Sequence, residues 1–333
     1  MQNPGKKTLV YIMSDVRSGS TLLDFLLGNH PDAQSVGELR FFETHVNREG
    51  VGHSWNWKCT CGKTLESCQL WSKVIERLDG DGVRKASELS TCTSINQDGF
   101  ERTTFFVALF VFFCGLSSLK RSLTKIFWRG GGRANVAEDC FAILREVCAV
   151  TGKNIVIDSS KSPDHLHTLL AAVPKEFNVK VIHLIRDGRA VTFSKLTRAQ
   201  QFGKPLRCRS AVLGWVKTNL MASNVLSLLS AGDFVTIRYE ELCNDTENVI
   251  RGVCTALGIS FSDDQIRLSK ENSHNIGGSQ HRFSKDRDIR LDERWKHGMG
   301  IKERAIFAFF GGWLNLTTRI RWSRVHLREQ DDR

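Results

Sequence analysis

The chain has 333 residues, of which 41% are hydrophobic and 25% are charged, a composition that is ordinary for a soluble globular protein. This length supports a large hydrophobic core and one α/β domain with insertions. The formal net charge of +11 favours anionic partners. Because the basic residues are spread along the chain without a long Lys/Arg tract, we expect no nucleic-acid partner.

Short apolar runs alternate with helical patterns along most of the chain. Each run is rich in β-branched residues, as expected for a strand that is covered on both faces. The predicted strands are Thr8–Met13, Asn154–Ile157, Val179–Ile185 and Asp233–Ile237, with a shorter strand within 33–39. The predicted helices are Thr21–Gly28, Pro163–Val173, Gly188–Ala199 and Glu240–Leu257. Repeated β-α units predict an α/β fold with three layers, α/β/α, around a central, mostly parallel sheet.

The first predicted strand is followed by a turn of small residues, 14–19, and then by a helix. Ligands of open α/β sheets bind at this edge, and the N-terminus of a helix offers free N–H groups to an anion. Arg17 and nearby hydroxyl groups add donors. Ser20 stands where an ATP- or GTP-binding loop has its lysine, so the turn predicts a site for one 5′-phosphate group without a metal. The alternative is a structural turn that caps the helix.

A second anion site is predicted after the strand Val179–Ile185. Arg186 stands where that strand stops, and Ser194 follows two helical turns later, on the face that Arg186 reaches. A single nucleotide with phosphates at both ends of its ribose would fill this site and the first one together.

The segments "RSGSTLL" and "LIRDGRAVTFS" resemble motifs of the PAPS-dependent sulfotransferase family, where PAPS is 3′-phosphoadenosine 5′-phosphosulfate. "VGEL", "IDSSK", "IRYEEL" and "HNIGG…RF…LDERW" resemble motifs of its microbial and Golgi-type branch. The resemblance implies a P-loop-nucleotide-kinase-like fold. It also implies transfer of a sulfuryl group from PAPS to a hydroxyl or amine of a small-molecule, carbohydrate or lipid acceptor, with no metal required.

The same resemblance implies roles for individual residues. The residues that would hold the 5′ end of PAPS are Arg17, Ser18, Gly19, Ser20, Thr21 and Leu22. Arg186 and Ser194 would hold the 3′-phosphate. For Arg282 two interpretations stay open: a residue that closes over the nucleotide, and an exposed loop arginine.

Two charged residues are candidates for the chemistry. Glu38 ends the short strand at the sheet edge and is the candidate general base, as in similar sulfotransferases. Lys161 follows the second predicted strand and is the candidate cation for the sulfonate or the bridging oxygen. The alternatives are a Glu38 that caps a helix or pairs with Arg40, and a "DSSK" segment that mainly provides a helix N-cap.

Histidines are the second choice for the base. His165, His167 and His274 have no spacing that singles one out, and His183 is expected to be packed within its strand.

An insertion at about 47–133 interrupts the β-α pattern within a single domain that spans 1–333, and we expect it to contact the acceptor. It contains Cys59, Cys61 and Cys68, with His53 nearby. Packed free thiols are the default interpretation and structural zinc is the alternative, since C-x-C with one further cysteine is not a standard ligand spacing. The aromatic residues of 105–116 and of Trp55, Trp57 and Trp71 belong either to an acceptor surface or to the core.

The first residues, "MQNPGKK", lead directly into a predicted strand. We therefore expect no signal peptide and a cytoplasmic protein with reduced thiols. The basic segment 317–333 is either a solvated helix or a region that contacts lipid at a membrane surface. Two other functions stay open: a small-molecule kinase of related fold, and a non-catalytic nucleotide-binding protein.

Overall fold

A five-stranded parallel sheet forms the centre of the computed structural model, which describes residues 6–48, 57–81, 84–92, 134–269, 273–283 and 288–331. The strands are β1 Lys7–Ser14, β2 Ala33–Gly37, β3 Ile155–Lys161, β4 Phe177–Ile185 and β5 Phe234–Arg238. Their order in the sheet is β2-β3-β1-β4-β5, and each neighbouring pair is parallel. The predicted parallel sheet, including the short strand after the first helix, is confirmed.

Helices connect these strands and cover both faces of the sheet. In the described residues they are α1 Ser20–Gly28, α2 Phe42–Asn47, α3 Trp71–Gly80, α4 Ala134–Thr151, α5 Pro163–Leu170, α6 Gly188–Gln201, α7 Cys208–Leu226, α8 Tyr239–Asn244, α9 Thr246–Leu257, α10 Trp295–Gly298 and α11 Ile301–Asp331. The prediction of one continuous helix over 240–257 is wrong. Asp245 has a non-helical backbone (φ −144°, ψ 63°), so the chain forms α8 and α9 instead.

Alternate side chains of β1 enter two separate hydrophobic cores. Leu9 and Tyr11 pack in a core that also contains residues of α3 and α4, whereas Val10 and Ile12 pack in a core with residues of α1 and α9. Because successive side chains of a strand point to opposite faces, this division identifies the three layers of the α/β/α arrangement.

Part of the predicted insertion packs in the first of these cores. The side chains of Trp71 and Val74 on α3 are fully buried there, near Phe141 of α4. Trp71 is therefore a core residue and not part of an acceptor surface. The run 105–116 and Trp55 lie outside the described residues. Among the described helices, none has the length and apolar character needed to cross a bilayer.

Candidate active site

Residues 14–19, here called the anion loop, join β1 to α1 at the carboxyl edge of the sheet. Gly19 has a φ of +93°, a left-handed conformation that favours glycine. A Cβ at this position would also lie 2.2 Å from a ring carbon of Tyr239. No side chain caps the N-terminus of α1, so its first N–H groups remain available to an anion.

Two arginines meet at this loop from neighbouring strands. Arg17 donates from Nε to Ser194 Oγ at 2.9 Å and from Nη1 to Ser279 Oγ at 3.1 Å. Arg186, just beyond β4, donates to the carbonyl of Arg17 at 3.0 Å and to that of Asp292 at 2.9 Å. The order β1-β4 in the sheet makes these two strand ends adjacent, which explains why residues 169 positions apart come together.

Positive charge accumulates around the anion loop. Burial lowers the pKa of Arg17, and the nearby charges of Arg198, Arg186 and Arg294 lower it further. In contrast, hydrogen bonds from Arg294 and the charge of Arg186 hold the pKa of the Asp292 carboxyl well below its usual range. Since several like charges share a half-enclosed space here, binding of an anion would relieve their repulsion.

An ion pair lies at the neighbouring strand ends. Glu38 follows β2 and Lys161 ends β3, and Lys161 Nζ contacts Glu38 Oε1 in a buried salt bridge. The Lys161 backbone has a φ of +69°, a conformation that costs energy in a residue other than glycine and is often found at functional sites. The expected convergence of these two residues at one edge of the sheet is observed.

Residues of β3 hold the backbone that carries Glu38. Asp158 Oδ1 accepts from the N–H of Leu39 at 3.3 Å, and Ser160 Oγ accepts from the N–H of Arg40 at 3.1 Å. Burial raises the pKa of Asp158 to about 6. Its carboxyl group therefore fixes the segment after Glu38 and does not face the cavity described below.

Residues 273–283, here called the cap segment, lie against the edge of β2. Ile276 donates to the carbonyl of Val36 at 3.0 Å and accepts from the N–H of Glu38 at 2.8 Å. A Cβ on Gly277 would lie 2.8 Å from the Cβ of Glu38. The cap segment therefore touches the candidate base directly and limits its movement.

Arg282 of the cap segment is 2% exposed and donates to the carbonyl of Lys58 at 2.9 Å. Burial lowers its pKa to about 10, while the nearby charge of Glu38 acts in the opposite direction. The interpretation as an exposed loop arginine is wrong. Arg282 is not among the residues that line the cavity, but a Cβ on Gly278 would lie 3.9 Å from both Arg282 Nη1 and Thr21 Oγ1, so the structure places Arg282 just behind the cavity wall.

The anion loop, the ion pair and the cap segment surround one cavity of about 940 Å³. Its lining includes Arg17, Gly19, Ser20, Thr21, Leu22, Glu38, Phe41, Thr44, His45, Trp57, Lys161, Arg186, Arg198, Tyr239, Gly277, Gly278, Ser279, Asp292 and Arg294. Ser18 is buried behind the loop, and Ser194 reaches the cavity only through its bond to Arg17.

Comparison of the sequence with protein-family profiles identifies the family to which the chain belongs. The sulfotransferase family profile matches residues 10–263, which is most of the chain. This chain belongs to the sulfotransferase family. No curated protein sequence gives a match.

Solved structures of sulfotransferases are similar to this one. The sulfotransferase domain from the curacin biosynthetic pathway is 17% identical with a TM-score of 0.51, and the alignment covers 92% of this chain and 98% of that one. The sulfotransferase domain from the olefin synthase of Synechococcus PCC 7002 is 19% identical with a TM-score of 0.48, covering 92% and 95%. The first likeness supports the P-loop-like sulfotransferase fold.

Among the described histidines of this sulfotransferase, His45 lines the cavity, whereas His165, His167, His183 and His274 do not. His165 and His183 are buried away from the cavity, and burial lowers their pKa values to about 3 and about 4. His274 lies beside cysteines of the insertion. His45 does line the cavity, but its Nδ1 faces the carbonyl of Phe41 at 2.7 Å and its Nε2 accepts from Gly277 at 3.3 Å.

Several residues of the sulfotransferase site carry no role in the sequence interpretation. Asp24 is fully buried and accepts hydrogen bonds from Ser159 at 2.9 Å and from Asn275 at 2.7 Å. Arg186 lies over the ring of Tyr239, 4.4 Å from its centroid. Tyr239 and Asn275 belong to the sequence motifs "IRYEEL" and "HNIGG". The motifs therefore pointed to this region, but they did not indicate what either residue does.

Proposed function

We propose that this sulfotransferase moves a sulfuryl group from PAPS to a hydroxyl or amine of an acceptor. The observation that carries the proposal is the convergence of Arg17 and Arg186 on one cavity that also contains Glu38 and Lys161. Two cationic positions at adjacent strand ends match the two phosphate positions of PAPS. A carboxylate with a neighbouring ammonium group provides a base and a cation beside them.

The donor substrate would be bound through both ends of its ribose. The N-terminus of α1 and the side chain of Arg17 would hold the 5′-phosphosulfate. Arg186, whose guanidinium now donates to two carbonyl groups, would turn its fork of donors to the 3′-phosphate. Arg186 also forms an ion pair with Asp292 Oδ2 at 3.3 Å, so the 3′-phosphate would replace two carbonyl acceptors and compete with one carboxylate for the guanidinium.

Glu38 would take the proton from the acceptor hydroxyl as its oxygen attacks the sulfur. The new O–S bond forms while the S–O bond to the 5′-phosphate breaks, and the electron pair leaves on the phosphate of 3′-phosphoadenosine 5′-phosphate (PAP). Lys161 would stabilise the charge on that oxygen. In the free protein Lys161 pairs with Glu38, so donor binding would draw Lys161 toward the phosphosulfate and leave the carboxylate free to act as the base.

The acceptor would enter beside Trp57, Phe41 and Thr44, which line the same cavity as Glu38. This combination of aromatic surface and one hydroxyl suits an acceptor with an apolar or sugar-ring face and a hydroxyl group. Small-molecule, carbohydrate and lipid acceptors all satisfy that description.

A kinase function has less support. Ser20 begins α1 where a Walker loop carries its lysine. Asp158 on β3, a carboxylate near the end of a second strand, accepts hydrogen bonds from Leu39 and Ser160 and does not line the cavity.

The deciding experiment compares labelled donors. The protein is incubated with PAPS carrying a radioactive sulfuryl group, or with ATP carrying a radioactive γ-phosphate, and a panel of hydroxyl and amine acceptors. We expect sulfuryl transfer without added Mg²⁺. Strict dependence on Mg·ATP together with indifference to PAPS would overturn the proposal. Calorimetry should also show that PAP binds more tightly than adenosine 5′-phosphate, which lacks the 3′-phosphate.

A further inference from the structure

We propose that Cys59, Cys61, Cys68 and His274 bind one structural zinc ion. The sulfur atoms of the three cysteines and a ring nitrogen of the histidine all lie within 4.8 Å of one another. Three thiolates and one imidazole form a recognised ligand set for tetrahedral structural zinc. The sequence alone points to His53 as the fourth ligand, but His53 lies outside the described residues and the fold brings His274 to the cluster instead.

The separations among the ligand atoms of Cys59, Cys68 and His274 are close to those of a tetrahedral site. Cys59 Sγ lies 3.6 Å from Cys68 Sγ, and His274 Nδ1 lies 3.2 Å from Cys68 Sγ and 3.8 Å from Cys59 Sγ. Around a zinc ion with Zn–S bonds of about 2.3 Å and Zn–N bonds of about 2.0 Å, the ligand atoms are about 3.5–3.8 Å apart. A disulfide would need the two sulfurs at about 2.0 Å, so these thiols are not bonded to each other.

The backbone around the first two cysteines forms a tight turn. The backbone N–H of Cys59 donates to the carbonyl of Lys63 at 2.8 Å, and the N–H of Gly62, which has a φ of +83°, donates to the carbonyl of Cys59 at 2.8 Å. Near Cys68, the N–H of Ser72 donates to the carbonyl of Cys68 at 2.9 Å. Such bonds fix the backbone that carries a ligand, as partners outside the ligand shell commonly do.

His274 is brought to the cysteines by contacts of its own backbone. The indole N–H of Trp71 donates to the carbonyl of His274 at 2.7 Å. Thr60, between two of the cysteines, donates from its N–H to the carbonyl of Asn275 at 3.0 Å. These bonds hold the imidazole next to the sulfurs although it is more than 200 residues away in the chain.

The role we assign to the zinc ion is to fasten the cap segment to residues 57–71. Four protein ligands leave no open position for a substrate, so the ion is structural. The cap segment contacts Glu38 through Ile276 and Arg17 through Ser279. Zinc binding releases the thiol protons. It therefore stabilises the side of the active site that contacts Glu38 and Arg17.

Metal analysis of the full chain tests this inference directly. Protein purified with its thiols reduced and without chelators should contain about one zinc ion per chain. Protein refolded with Co²⁺ should show the thiolate-to-cobalt absorption of a tetrahedral site. Cys61 is exposed, so Cys61→Ser removes a ligand without a core defect, and we expect it to bind zinc at least about 10-fold more weakly. The control is Cys208→Ser, a half-buried cysteine outside the cluster, which should keep the metal.

A second measurement tests the fastening role without relying on enzyme activity. After zinc removal, amide hydrogen exchange should accelerate in both 57–71 and 273–283 and not in α9. The proposal is overturned if reduced protein contains no metal and gives no cobalt spectrum, if iron replaces zinc at one ion per chain, or if mass spectrometry finds a disulfide between Cys59 and Cys68. It is also overturned if Cys61→Ser and Cys208→Ser retain zinc equally.

Discussion

The two sides of the active-site cavity are built in different ways. The side that we propose binds the phosphates, here called the phosphate side, consists of the anion loop after β1 and of residues 186–194, which follow β4 and include the first turns of α6. The opposite side consists of the cap segment and of residues 57–71, which come from distant parts of the chain and join through backbone bonds and the Cys/His cluster. The first side is specified by local motifs and the second by contacts that only the complete fold creates.

This difference has an electrostatic counterpart. On the phosphate side, the arginines around Arg17 lower its pKa, so the free protein retains repulsion that an anion would relieve. On the cap side, Glu38 is matched by Lys161, and the amide of Asn275 in the cap segment donates to the buried Asp24 carboxyl at 2.7 Å. Substitutions on the phosphate side should therefore change donor affinity, and substitutions toward the cap side should change turnover or stability.

The largest effect is expected from Glu38→Gln. General-base catalysis contributes about 10²- to 10⁴-fold, and the amide removes the base while it keeps the shape of the side chain. Turnover with PAPS should fall by that factor, measured as labelled product formed per minute. PAP affinity, measured by calorimetry, should stay within a few-fold.

Glu43→Gln is the matched control for this substitution. Glu43 lies on α2, close to Glu38 in the chain, but it accepts from the N–H of Thr91 and does not line the cavity. Its turnover should match that of the unaltered protein. Turnover of Glu38→Gln near that level would mean that another group takes the proton.

A smaller, selective effect is expected from Arg186→Lys. Lysine keeps the charge but loses the planar fork of donors that suits a phosphate. Hydrogen bonds to charged groups contribute about 1.5–3 kcal/mol, so PAP affinity should fall by about 10- to 100-fold. Adenosine 5′-phosphate, which lacks the 3′-phosphate, should bind as before.

If the affinities for PAP and for adenosine 5′-phosphate fall equally, Arg186 does not bind the 3′-phosphate. Arg145→Ala serves as the control, because Arg145 forms an exposed ion pair with Glu176 and should leave both affinities unchanged.

The sequence predicted the strand, turn and helix around Arg17 and around Arg186, because the information for these elements is local. An apolar strand, a turn of small residues and a helix stand in order around Arg17, and the same pattern recurs at Arg186. Parallel strands place their carboxyl ends at one edge, so Glu38 and Lys161 could also be assigned to that edge before their contact was known. The break at Asp245 was missed although the polar run 244–248 separates two apolar stretches, because the helical pattern resumes directly after it.

The cap side could not be predicted in the same way. His274 and Asn275 lie in a segment without helical or strand periodicity, and their partners Cys68 and Asp24 are more than 200 residues away. No spacing rule connects such residues, so their roles depend on the sheet order that brings β2 and the cap segment together.

Gly19 of the anion loop lies against the ring of Tyr239, and its replacement should lower stability as well as ligand affinity. Gly19→Ala introduces a left-handed alanine and a methyl group against the ring of Tyr239. Gly203 also has a positive φ, +62°, but nothing lies within 4 Å of a Cβ there. Gly203→Ala should therefore lower the free energy of unfolding by about 1–2 kcal/mol, and Gly19→Ala by about 1–3 kcal/mol more.

Chemical denaturation of both glycine variants measures this difference. Equal losses would show that the Tyr239 ring moves aside without cost and that the tight approach of α8 to the anion loop is not needed. The double variant Gly19→Ala/Tyr239→Ala should recover part of the loss, because the methyl group then has space.

The smallest effect, when taken per pH unit, is the pH dependence of stability caused by Asp24 of α1, which accepts a hydrogen bond from Asn275 of the cap segment. Burial raises the pKa of Asp24 from 3.8 to about 7. Its protonated form is therefore favoured by folding, and this stabilisation is present below pH 3.8 and is lost as the pH rises to about 7. Between those values the free energy of unfolding should fall by about 1.4 kcal/mol per pH unit from this group alone.

Asp24→Asn isolates that contribution, because the amide does not ionise. Denaturation at pH values one unit apart, both between 3.8 and 7, should give a difference between the unaltered protein and the variant that changes by about 1.4 kcal/mol. Asp81→Asn, an exposed aspartate at the end of α3, should show no such change. If the two variants respond to pH alike, Asp24 is ionised in the folded protein. The hydrogen bond from Asn275 would then be made to a charged carboxylate, and this charge would help to hold the cap segment in place.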